Sequence, residues 1–181
     1  MRNIVLVLCM AALAGCAFQP ATPDITQKFD EFVGMETAKV GPFDISRGIS
    51  WDVNRGTQRT GEKAGQSVFL ITVFRNGAVD TKGTSSWKFL SNNAMHVIIN
   101  GKSHNVGSGR HDGLAKRAIA GGVYVLEEIM YTLDVDDLRV FTGDIKTFRG
   151  RIGLAEFELN EDQILALVKF VETEVTPYVD L

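Results

Sequence analysis

AMHVIINGKSHNV, residues 94–106, is the stretch on which the fold turns. Its first part, Ala94–Ile99, reads as a strand, and Asn100-Gly101 follows it at once. An Asn-Gly pair takes the positive φ angles of a type I′ turn, so a hairpin returning through Lys102 to Val106 is predicted. A two-residue turn sets His96 opposite Asn105 and His104 opposite Val97. Adjacent positions on a strand face opposite ways, so the two imidazoles should diverge.

Downstream, Gly107 to Gly113 reads as loop, and Val123 to Leu133 as a long strand by its β-branched and aromatic content, a helix being the alternative. Asp134 can cap a short helix, Val135 to Phe141, with Asp137 in its first turn. Lys146 to Ile152 and Leu154 to Leu159 suggest a closing hairpin around Gly153. Asn160 and Gln163 form a capping box, in which each side chain satisfies a backbone N–H of the other's turn. Ile164, Leu167, Val168, Val171 and Val175 follow as one apolar stripe, and Pro177 should end that helix.

Upstream, Ser86 to Leu90 reads as a short strand and Asn76-Gly77 as a turn. Ser67 to Phe74 has no polar face and reads as a central strand buried on both sides. Ser46 to Gln66 is polar and glycine-rich; only Ile49, Trp51 and Val53 alternate inward, and Asn54 to Gln66 reads as a mobile loop. Lys39 to Ile45 is a strand that Pro42 confines to an edge or a bulge. Lys28 to Thr37 reads as a short helix or irregular lead-in. The expectation is a mainly β, α+β domain: an antiparallel β-sandwich or partly open barrel with a C-terminal helix packed on it.

The extreme N-terminus is of another kind. Arg2 precedes an apolar run, Ile4 to Ala12, that is too short for a spanning helix, which needs about 20 residues. Leu13-Ala14-Gly15-Cys16 then resembles the lipobox of bacterial lipoproteins. The resemblance implies a signal peptide over residues 1–15, a diacylglycerol thioether on Cys16 and an acylated new amine. Two or three acyl chains give stable anchoring where one is marginal. It also implies a cell-envelope location, which would be the outer membrane if the organism is Gram-negative, because no Asp follows Cys16. Residues 16–27 read as lipidated N-terminus and tether, and 28–181 as a single globular domain.

Cleavage would leave 166 residues, and the loss of Arg2 takes the net charge from −3 to −4. That length suits one domain with a real core, and the mild acidity argues against a nucleic-acid partner. Cys9 leaves with the signal peptide, so no disulfide, cysteine-type zinc site or thiol chemistry is expected.

The candidate chemistry is sparse. A metal site would need His96 and His104 on one face with His111 or Asp112, which the hairpin register opposes. Gly107-Ser108-Gly109-Arg110 lacks a phosphate-loop pattern, and Ser108, His111 and Asp112 lie too close in sequence for a hydrolase triad. Asp134, Asp136 and Asp137 lack the glycine and distal Glu of a calcium loop. Glu127 is the outstanding residue, because the strand reading puts a carboxylate in a row with Val123, Val125, Ile129, Tyr131 and Leu133. Such a group needs a partner, Arg149 or Arg151, or else the strand bulges or Glu127 lies at a solvated edge. Trp51 and Trp87, with Phe74 and Phe89, are candidates to line a ligand pocket, or simply core. No catalytic residue, metal or cofactor is expected.

The functional expectation is a non-catalytic, membrane-anchored binding or assembly module with an envelope protein as partner. A carrier for an apolar ligand, held between sheet and C-terminal helix, is one alternative. An inhibitor of an envelope-targeting enzyme, acting through a protruding 54–66 loop, is another. Oligomeric state stays open.

Overall fold

In the computed structural model, which describes residues 23–46, 48–77, 87–117 and 123–179, the Asn100-Gly101 hairpin forms in the expected register. Asn100 has φ 49° and Gly101 φ 79°, as a type I′ turn demands. Ten strands are present among the described residues: β1 (Ile25–Asp30), β2 (Met35–Ser46), β3 (Ile49–Gln58), β4 (Ser67–Gly77), β5 (Ala94–Ile99), β6 (Lys102–Ser108), β7 (Arg110–Arg117), β8 (Val123–Leu133), β9 (Phe148–Ile152) and β10 (Ala155–Glu158). Helix α1 spans Val135–Phe141; α2 (Glu161–Phe170) runs through a π turn, Val171–Val175, into α3 (Thr176–Val179). Residues 1–22, including the signal-peptide and lipobox readings, lie outside the described residues.

The strands make two antiparallel sheets, ordered β1-β2-β3-β4-β8-β7 and β10-β9-β5-β6. They face each other as an α+β sandwich, not closed into a barrel. Inward residues alternate along each strand: Trp51 and Val53 on β3, Ile71 and Val73 on β4, Ile129 and Tyr131 on β8, then Met95, Val97, Phe148 and Ile152 from the smaller sheet. Trp51 is fully enclosed at the meeting point, with ring centroids 5.0, 5.6 and 5.7 Å from Phe43, Phe148 and Phe157. Such aromatic contacts add about 0.5–1.5 kcal/mol each beyond the area they bury.

Several elements match the sequence reading closely. β8 spans the expected residues, and Asp134 and Asn160 each close a capping box, with Asp137 and Gln163. Pro42 sits in β2 at a register shift between Val40 and Phe43, which spares the ladder a missing donor.

Others differ, each for a physical reason. Lys28 to Thr37 is neither helix nor irregular: β1 and β2 form a hairpin across it, and β1 starts at Ile25, inside the expected tether. The stretch 54–66 is not one loop, because β3 continues to Gln58 with Arg55 and Thr57 facing inward. β4 is buried along one face, while on the other only Thr72 is buried and Val68 and Phe74 are open. Trp87 to Leu90 forms bends rather than a strand, and Ser86 lies outside the described residues. Nor is Gly107–Gly113 a loop: Arg110 begins β7, which pairs with β8 as the sheet's edge. Pro177 does not end the helix. The π turn just before it widens the ladder where the proline ring would meet a carbonyl.

The C-terminal helix covers one end of the larger sheet. Leu167, Phe170, Val171 and Val175 face inward, filling the space between helix and strands. The π turn also brings Glu174 inward, where it meets Arg55: Nε and Nη2 donate to Glu174 Oε2 at 2.9 and 2.6 Å. Gln27 Nε2 donates to the other oxygen at 2.8 Å, and Arg55 Nη2 also reaches Glu36 at 2.7 Å. Tyr178 lies against the guanidinium, 5.4 Å from its ring centroid.

Candidate functional site

At the end of the sandwich away from the helix, Glu127 stands in the inward row of β8, in register with Arg75 of β4 on one side and Gly113 of β7 on the other. The strand does not bulge there, and the carboxylate is fully buried, so neither a bulge nor a solvated edge accounts for it. Its partner is Arg75, not Arg149 or Arg151, which lie on the opposite sheet's outer face. The Arg75 Nη1–Glu127 Oε2 ion pair is direct. Three more donors converge: Lys88 N–H at 3.0 Å to both oxygens, Phe89 N–H at 2.9 Å, and His111 Nε2 at 3.2 Å. An ionised carboxylate only accepts, so Nε2 is the protonated nitrogen in that contact. Burial opposes the charge, yet the amides of Lys88 and Phe89, with Arg75 and His111, hold the Glu127 carboxyl below the usual carboxylate range.

Trp87 closes this cluster from outside. Its ring meets His111 edge-on at 6.0 Å and passes over Gly113, where a Cβ would collide with Cζ3. A side chain at that position would have to displace the Trp87 ring. Phe89 plugs the core, and Tyr131 Oη donates to Asn93 O at 2.5 Å, so the 87–93 segment is held at both ends. Burial pushes the Tyr131 phenol up. The arrangement serves as a clamp: the lone pairs of Glu127 are taken by the segment it fixes and by Arg75 and His111.

The other candidates separate. Trp51 is enclosed in the core and lines no surface, whereas Trp87 is partly exposed at the far end of the same sheet. His96 and His104 diverge as the register requires. His104 Nε2 lies 2.8 Å from Asp137 Oδ1 of α1, while His96 is on the outer face of the smaller sheet. His111 belongs to the Glu127 cluster. Among the described residues no group of three His, Cys, Asp or Glu side chains is placed to hold a metal ion.

The outer face of the smaller sheet carries a feature that sequence reasoning passed over. Cross-strand register sets Glu156, Arg151 and His96 in one row and Glu158, Arg149, Ile98 and Ser103 in the next. Together they line an open groove of about 580 Å³. No ion pair among the described residues engages Arg149 or Arg151, so two guanidiniums stand side by side on the surface. The signal was present as Arg-x-Arg on β9 facing Glu-x-Glu on β10, since residues two apart share a face. No helix among the described residues is long and apolar enough to cross a membrane. Compared with models of protein families, with curated proteins and with solved structures, the chain matches none.

Proposed function

We propose that this chain is a lipid-anchored binding module of the cell envelope, held through Cys16 and presenting the outer face of its smaller sheet to a partner protein. One observation carries the reading: the acid most suggestive of chemistry, Glu127, is spent on the fold, while Arg149 and Arg151, in no ion pair among the described residues, lie together with Glu156 and Glu158 on an open surface. A carboxylate whose lone pairs are taken by two amides and two side chains has no proton to exchange with a substrate. Paired arginines beside Ile98 supply what interfaces use, a planar bidentate cation next to apolar area. The lipobox residues, Leu13 to Cys16, support the anchor, and only eight residues separate Cys16 from β1, which keeps the domain near a bilayer.

The test is mass spectrometry of the protein from its native membrane beside a Cys16→Ser variant, with a photocrosslinker in place of Ser103. A diacylglyceryl mass on Cys16, lost together with membrane attachment in the variant, is the expected result. So is a crosslinked envelope protein whose yield falls when Arg149 and Arg151 are both changed to Ser. An unlipidated, freely diffusing chain with no crosslink would overturn the reading.

A further inference from the structure

We infer that the turn between β1 and β2 is a second membrane contact, dipping Phe32 and Val33 into the apolar edge of a zwitterionic bilayer. This deepens the anchored reading and rests on it. Phe32 is 101% exposed, with Phe29 and Val33 more than half exposed beside it. A fully solvated aromatic at a turn is apolar surface that nothing in the fold covers. Four of its backbone groups are nonetheless paired from within. The Asp30 carboxylate accepts from Phe32 N–H at 2.9 Å and Val33 N–H at 3.3 Å. Gln58 Nε2 donates to Val33 O at 2.7 Å, and Arg59 N–H to Gly34 O at 2.8 Å. Pairing polar backbone internally lowers the cost of approaching hydrocarbon, and these four groups are paired while the apolar side chains stay outside.

The anchor's position fits the same occupant. Residues 17–24 separate Cys16 from Ile25. Fully extended they reach about 28 Å, whereas six-residue β1 puts the turn about 20 Å from Ile25. The tether is therefore long enough to return to the bilayer when the turn touches it. Around the tip Lys28, Arg59 and Lys63 are more than offset by Asp30, Glu31, Glu62 and Glu36, the last of which pairs with Arg59. That slight acidic excess offers no attraction to anionic headgroups, so the contact on a zwitterionic bilayer is apolar and should not respond to salt.

The full lipidated chain, reconstituted on phosphatidylcholine vesicles, carries Phe32→Trp in one sample and Leu154→Trp in another. Leu154 is 87% exposed in the β9–β10 turn, so neither change disturbs packing. Spectra are read as differences from the unaltered chain. Trp at 32 should shift to the blue and be quenched at least about twofold more by acyl-brominated lipid than Trp at 154, equally at low and high salt. With the protein floating on the vesicles, an unquenched Trp at 32 would overturn this inference and leave the anchor standing. Equal quenching at both positions, or a blue shift at 32 without lipid, overturns it in favour of general immersion or of cover by a protein copy. A chain that does not float at all overturns the anchor and this inference with it.

Discussion

Replacing Glu127 by Gln tests whether the buried carboxylate is a structural clamp. The variant keeps the shape but removes the charge. The single carbonyl oxygen of the new side chain would have to serve Lys88 N–H and Phe89 N–H, while its amide would turn N–H groups toward Arg75 or His111. Breaking one side of a buried ion pair costs about 3–5 kcal/mol. The Arg75 side chain retains 15% exposure, so water eases its loss and the lower end, about 3 kcal/mol, is expected. Domains of this kind are stable by about 5–15 kcal/mol, so the variant should still fold. Urea unfolding at neutral pH, followed by circular dichroism and by fluorescence, gives the number. Trp87, partly exposed over the cluster, should report loosening of the 87–89 segment before global unfolding, whereas enclosed Trp51 should not. The pH dependence has a definite sign. The carboxyl is held below its unfolded value, so its contribution is full above the unfolded value and is lost as pH falls through the folded one. The deficit of the variant should therefore be largest near neutrality and shrink in acid. A neutral-pH difference under about 1 kcal/mol, or a deficit independent of pH, would refute the clamp.

Glu174→Gln should cost about 3–5 kcal/mol in the same assay, because buried Arg55 is left without its main partner. Arg55→Met together with Glu174→Leu should recover most of that loss, since an apolar pair of similar volume needs no charge compensation. Gly150→Val should destabilise by about 1–3 kcal/mol or more, because the new Cβ would collide with Phe157 Cζ and drive that ring off Trp51. Phe157→Ala in the same chain should make Gly150→Val nearly neutral, read as a double-mutant cycle. Asn160→Ala should cost about 1 kcal/mol by removing the cap on α2, with no change in the Trp87 signal.

The sequence was legible wherever local chemistry alone decides the backbone. Asn100-Gly101 needs positive φ, Asp134 and Asn160 cap helices, and the apolar content of 123–133 exceeds what a loop would carry. It was illegible where an inward position is polar. Arg55 and Thr57 break the apolar alternation of β3, so the strand pattern stops at Val53; the distant Glu174, with Glu36 of β2, makes an inward arginine tolerable. Glycine misled in the same way at 107–113, where it is the close passage over Ile129 and under Trp87 that selects Gly109 and Gly113. Glu127 was recognisable as anomalous on β8, but its partner was not. Arg75 lies 52 residues away, on a strand whose pairing with β8 no local pattern reveals.

These hidden contacts share a logic. The apolar core is continuous from Val53 to Val73 and Ile129, and each end of the larger sheet finishes in an arginine–glutamate pair. At one end Arg55 fixes the C-terminal helix through Glu174; at the other Glu127 fixes the 87–89 segment and Arg75. Hydrophobic contact is non-directional, and an apolar helix face or a Phe89 plug could slide by a residue at small cost. A buried charge cannot, because a one-residue slip leaves it unpaired at a cost of several kcal/mol. The two pairs thus set register for the pieces that the sheet ladders do not hold. That work is done inside the sandwich, while the arginines of β9 and the β1–β2 turn stand on the outside, open to meet something else.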